Sequence, residues 1–199
     1  MHKTTPLVQV KTLEGCDLAD ALSLIAKASS PLIFKGLCKD WPLVKAGVIS
    51  ASSAADYLRQ FYQGIPVSAC YLEPDQQGRV FYNPEQNGFN YQGGKIDFNQ
   101  LLDRLFALNN QVQVPTYYMG STEINHWFPG LAEHNTLPMP GISPLTSVWL
   151  GNQSRIAAHY DFPQNLACNA VGHRTFTLFP PEQISNLYPG PMEFASGGQ

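Results

Sequence analysis

Charge is scarce in this chain. Asp, Glu, Lys and Arg make up 14% of its 199 residues, against about 25% in ordinary globular proteins. The formal net charge is −3 and the pI is near 5.9, so no basic field exists for a polyphosphate and nucleic acid is not an expected partner. Long hydrophobic runs are missing as well. No stretch approaches the roughly 18 apolar residues of a membrane span, and the N-terminus through Leu13 lacks the apolar core of a secretory signal, so no membrane partner is expected. Cysteine is sparse and scattered. Cys16, Cys38, Cys70 and Cys168 form no Cys-x-x-Cys pair, which indicates neither a zinc site nor a disulfide framework and favours a reducing cytoplasm. Internal repeats and low-complexity tracts are absent too.

Aromatic residues, by contrast, reach 12%, which favours a large β-rich core over a solvated helical array. A chain of this length suits one domain able to bury roughly 70% of its unfolded surface. Helical spacing of Leu18, Ala21, Leu22 and Ile25 predicts a helix over Asp17 to Ala28. Ser52 or Ser53 is expected to cap a second helix through Phe61, ended by Gly64. A third helix covers Phe98 to Leu108, with Leu101, Leu102, Leu105 and Phe106 inward. Strands are expected over Pro31 to Leu37, Pro66 to Leu72, Val112 to Met119, Thr146 to Leu150, Ile156 to Asp161, Leu166 to Val171 and Thr175 to Phe179. The glycine- and amide-rich stretch Gln76 to Gly94 reads as a long loop. Helices come first and strands dominate the second half, an order that predicts an α+β region, 1–110, leading into β structure, 111–199, within one structural domain.

The richest stretch chemically is Ser154-Arg155-Ile156-Ala157-Ala158-His159-Tyr160-Asp161. Side chains alternate along a strand, so His159 and Asp161 would project together while Tyr160 points away. An imidazole beside a carboxylate is two thirds of the two-histidine, one-carboxylate triad that holds non-haem Fe(II) and leaves positions open. The pair is expected side by side on one strand face, lining a concave pocket. His-x-Asp alone is also what a solvated turn contains. The next segment, Leu166 to Phe179, reads as two short apolar strands around a hairpin at Gly172, stopped by Pro180-Pro181.

These residues resemble the jumonji-C-like branch of the cupin superfamily, the cupin-like proteins related to asparaginyl hydroxylase. There a His-Tyr-Asp strand leads through a Gly-x-Lys/Arg hairpin to Leu-Phe-Pro-Pro. Pro31 to Leu37 followed by Asp40-Trp41-Pro42, then Arg79-Val80-Phe81-Tyr82-Asn83, Gly88-Phe89-Asn90-Tyr91 and Asn186-Leu187-Tyr188-Pro189-Gly190-Pro191, extend the likeness in order. The resemblance implies a mainly β fold, the cupin/jumonji-C double-stranded β-helix or jelly roll, behind the N-terminal α+β region. It also implies Fe(II)- and 2-oxoglutarate-dependent hydroxylation, with His159 and Asp161 as metal ligands and a small molecule or a protein side chain as substrate. Arg174 takes the place of the basic residue that pairs with the distal carboxylate of 2-oxoglutarate, a role suited to a guanidinium fork. Tyr118 matches the tyrosine reaching the same carboxylate, and Asn165 a pocket asparagine nearer the metal. Two departures matter: the closest hydroxylases carry lysine at Arg174 and threonine at Ile156.

The third metal ligand is the gap in this reading. His126 and His134 flank a Trp-Phe-Pro-Gly loop, and His173 adjoins Arg174 but would face the other way; each reads first as an ordinary solvated or hydrogen-bonded histidine. In the family the distal histidine lies on a late barrel strand, so the barrel is expected to be incomplete at the C-terminus and the chain to be a fragment or a truncated product. Such a chain should bind Fe(II) weakly, turn over little 2-oxoglutarate, expose apolar faces from Leu166 to Phe179 and form homodimers or aggregates. Two other functions stay open: a non-catalytic cupin-like binding module, and a metal cupin enzyme that does not use 2-oxoglutarate.

Overall fold

The computed structural model describes residues 8–108 and 113–190. Of these, 30% are helical and 21% lie in strands, a mixed composition rather than the mainly β one expected. The chain opens with β1 (Lys11–Glu14), α1 (Leu18–Lys27) and β2 (Leu32–Lys35), and β1 and β2 pair in parallel. Asp17 caps α1 by accepting the amide N–H of Asp20 at 2.8 Å. The Trp-Pro corner becomes α2 (Pro42–Ile49), with Pro42 in the first turn, where its missing N–H is not needed. Helix α3 (Ala51–Arg59) follows at once. Its cap is Ser50, which accepts from the Ser53 amide at 2.9 Å, not Ser52 or Ser53.

A four-stranded antiparallel sheet organises the rest. Its order is β5 (Gln92–Ile96), β3 (Val67–Leu72), β6 (Thr116–Glu123), β7 (Ser147–Gly151), with β4 (Arg79–Val80) outside it. The sheet draws strands from both sides of the 110/111 boundary. The stretch read as a loop thus contains β4 and most of β5. Gly93 and Gly94 hid β5 because they lack strand propensity, yet they pair with Cys70 and Ala69 through main chain alone. On one face of the sheet Val67, Ala69, Tyr117, Met119, Val148 and Leu150 meet α4 (Phe98–Ala107), α3 and α5 (Ile124–Trp127). Phe98 and Phe128 form the centre, fully buried and edge-to-face at 4.8 Å. Each such side chain contributes about 1.5–3 kcal/mol by leaving water.

The expected strand over Ile156 to Asp161 shortens to β8 (Arg155–Ile156), which pairs in parallel with β4. Beyond β4 the chain enters a tight loop on the side away from β8, where the Phe81 N–H donates to the Asn90 side-chain oxygen at 2.9 Å and the Phe81 carbonyl accepts the Asn90 N–H at 3.0 Å. Leu166 to Val171 and Thr175 to Phe179 also form no ladder, since no strand among the described residues runs beside them. A 3-10 turn, Pro181–Asn186, follows. Val112, where the β6 strand was expected to begin, and the ending from Pro191 on lie outside the described residues.

Candidate metal and oxyacid site

Strand β6 places its two tyrosines on opposite faces. Tyr117 joins the helical core, while Tyr118 turns to the other face beside its register partner Cys70. Tyr118 is nevertheless buried, at 6% exposure. Arg174 arrives there and lies close enough to Tyr118 to act on its phenol by charge and by hydrogen bonding, and Asp161 also lies within electrostatic reach. Burial holds the Tyr118 pKa above its ordinary value, while the Arg174 guanidinium opposes part of the rise. The phenol therefore stays protonated through neutral pH and can donate to an anion. Arg174 also lies over the Phe176 ring, 5.5 Å from its centroid, two residues along an extended segment.

His159 and Asp161 are side by side as their spacing required, with Nε2 3.8 Å from Oδ1. They sit on an irregular extended segment and not on a strand. Their side chains are 41% and 34% exposed, so the expected concave pocket is not closed around them; the cavity of about 450 Å3 lies elsewhere, along Arg79 to Asn90. His159 Nδ1 is 2.8 Å from the Ala157 carbonyl. A carbonyl only accepts, so Nδ1 is the donor, and Nε2 is the ring nitrogen left for a metal. Asn165 donates to Asp161 Oδ2 at 3.1 Å, fixing that carboxylate and leaving Oδ1 toward the imidazole. Asn165 therefore orients the carboxylate, a role the sequence reading had not given it.

The donor set fits iron in kind and falls short in number. His159 and Asp161 would hold the metal through an imidazole nitrogen and a carboxylate oxygen, but among the described residues no third His, Cys, Asp or Glu joins them. His126 stacks edge-on against Trp127 at 4.4 Å, and His134 ends a 3-10 turn at Leu131–Glu133. For a dicarboxylate the fit is better, since Arg174 and Tyr118 offer charge and a hydroxyl donor beside the chelating pair. Sequence reasoning missed two further groups on this face. The Cys70 thiol donates to the Tyr118 carbonyl at 3.4 Å, and burial pushes its pKa up to about 11. Tyr91 lies near Cys70, and burial raises its pKa to about 12. Its hydroxyl is buried without a hydrogen-bond partner, a deficit worth about 1–3 kcal/mol.

Residues 19–199 match a family model described as a cupin-like domain. The chain belongs to the cupin-like domain family. No curated protein matches it. Within this cupin-like domain, among the described residues, no helix is long and apolar enough to cross a membrane.

Proposed function

We propose that this cupin-like domain is of the Fe(II)- and 2-oxoglutarate-dependent hydroxylase type, built on the double-stranded β-helix plan. The observation that carries the reading is the gathering of Arg174 and Tyr118 beside Asp161, whose partner is His159. An anion anchor next to a histidine–carboxylate pair is the arrangement a chelating dicarboxylate needs. His159 and Asp161 would hold the metal, and Arg174 with Tyr118 would hold the far carboxylate. Bound iron and 2-oxoglutarate would supply the oxidising power for hydroxylation of a small molecule or a protein side chain, while the chain contributes placement and fixed polarity. Asn165 keeps the Asp161 carboxylate aimed, and the Ala157 carbonyl holds the His159 ring through Nδ1 so that Nε2 is the nitrogen left for a metal.

A second reading, a non-catalytic cupin-like binding module, is favoured by the missing third ligand among the described residues. Metal affinity grows with ligand count and with supported ligands, so two donors predict weak iron binding and negligible 2-oxoglutarate turnover. A titration of the chain with Fe(II) and with Mn(II), followed by equilibrium dialysis of 2-oxoglutarate and an assay of its decarboxylation, separates the readings. Metal-dependent 2-oxoglutarate binding supports the oxygenase-type site. Tight metal binding with no 2-oxoglutarate binding would favour a metal cupin enzyme without that co-substrate, and absence of both would favour the binding module. The exposed apolar side chains Leu166, Val171, Phe176, Leu178 and Phe179 make a homodimer the expected state, to be checked by sedimentation.

A further inference from the structure

Strands β4 and β8 run in parallel with Arg79 opposite Arg155. Register partners in a ladder share a face, so two guanidiniums project side by side. Like charges set opposite one another destabilise a sheet, yet neither arginine belongs to any of the ion pairs formed among the described residues. Arg79 is also held in place. Its guanidinium lies over the Phe81 ring, 4.1 Å from the centroid, and a guanidinium so placed still has N–H groups for an oxyanion. Beside it is the cavity of about 450 Å3, lined by Gln76, Arg79, Phe81, Tyr82, Asn83 and Asn90 among others. The loop that forms this cavity is tied down by Asn90, whose amide donates to Gln76 Oε1 at 2.8 Å and to the Arg79 carbonyl at 2.7 Å. The cavity is thus lined by Arg79 together with side chains held by other contacts, and Arg155 stands next to Arg79 in the ladder.

We infer that this cavity is a binding site for an oxyanion-bearing ligand with a flat apolar body, a carboxylate or phosphate monoester whose charge sits on Arg79 and Arg155 and whose body lies along Phe81 and Tyr82. The parallel strands send both loops out at the same end of the ladder: Phe81 and Tyr82 after β4, His159 and Asp161 after β8. A ligand anchored here would lie beside the ladder whose β8 strand leads on to His159 and Asp161. Calling it the substrate rests on the proposed hydroxylase-type function, whereas its binding does not.

The test is an NMR titration of the full chain, free of iron and 2-oxoglutarate, with benzoate, phenyl phosphate and neutral benzamide as probes. Benzoate or phenyl phosphate should perturb resonances of residues 76–90, and benzamide should not. Tighter benzoate assigns a carboxylate ligand and tighter phenyl phosphate a phosphate one, and both support the site. Arg79→Gln should raise the dissociation constant tenfold or more and Arg155→Gln several-fold. Both arginines are exposed, so loss of folding is not expected, and the unperturbed resonances of β3 and β6 verify it. Equal binding of benzamide, an unchanged constant in Arg79→Gln, or benzoate binding lost in Arg174→Ala but kept in Arg79→Gln would overturn the proposal. In the last case the anion would be at the 2-oxoglutarate anchor. Because neither iron nor 2-oxoglutarate is present, failure here leaves the oxygenase reading intact, and failure of that reading leaves this site intact.

Discussion

The region from α2 to β7 and the region from Ala157 to Gly190 are held by different means. In the first, Phe98, Leu101, Met119 and Val67 are fully buried between helices and sheet. In the second, Ala157, Ala170 and Leu187 are half-buried and every other residue is exposed. Yet His159, Asp161, Asn165 and Arg174 all lie in the second. The fold's stability and the candidate chemistry thus reside in different parts of the chain, joined by a few tethers: Arg174 on Tyr118, Ala170 against the core, Val171 against Gly47, and the two rungs of β4 with β8. A segment with so few buried contacts opens locally at less cost than the core does.

Core truncation should show the largest difference between the regions. Phe98→Ala removes a ring with no exposed surface and should cost about 3–5 kcal/mol in urea denaturation. Leu178→Ala, at a side chain 53% exposed, should change stability by about 0.5 kcal/mol or less. Comparable losses from the two would show that the second region is packed as a core, and the contrast would fail.

Ligand binding inverts the ranking. Arg174→Ala should leave the denaturation midpoint almost unmoved but weaken 2-oxoglutarate binding by about 1.5–3 kcal/mol, roughly tenfold to a hundredfold, with metal binding unchanged. Equal 2-oxoglutarate affinity would remove Arg174 as the anchor. Tyr91→Phe belongs to the first region. Removing an unpartnered buried hydroxyl should stabilise the free protein, by about 1 kcal/mol or more. A destabilised Tyr91→Phe variant would mean that the hydroxyl already has a partner.

What the sequence revealed follows the same division. Helices α1, α3 and α4 and strands β2, β3, β6 and β7 were legible because amphipathic spacing and apolar runs report burial against the core. Strand β5 was not, since Gly93 and Gly94 contribute only main chain, and α2 was hidden behind a Trp-Pro pair read as a corner. Beyond Ile156 the alternation that predicted strands is present, but alternation cannot supply a partner, and among the described residues no strand runs beside that segment. For the site, period-two spacing was enough to bring His159 to Asp161 even without a ladder. Arg174 and Tyr118 came from family likeness, whereas Cys70 and Tyr91 carried no signal in one sequence, because their place depends on which strands pair.

The smallest expected effect concerns the tether between Cys38, which precedes α2, and Cys168, in the exposed region. Both are free thiols that lie near enough to act on one another, which lowers the Cys168 pKa and raises that of Cys38. A lower pKa means that Cys168 gains thiolate at a lower pH, and the thiolate is the reactive form. Limited iodoacetamide near pH 8, read by peptide mass mapping, should therefore label Cys168 before Cys38. Cys38→Ser keeps a hydroxyl donor in place and should preserve that reactivity in large part, whereas Cys38→Ala removes it and should slow labelling of Cys168. Faster labelling in Cys38→Ala would mean that Cys38 shields Cys168 rather than activating it, and this tether between the two regions would be steric alone.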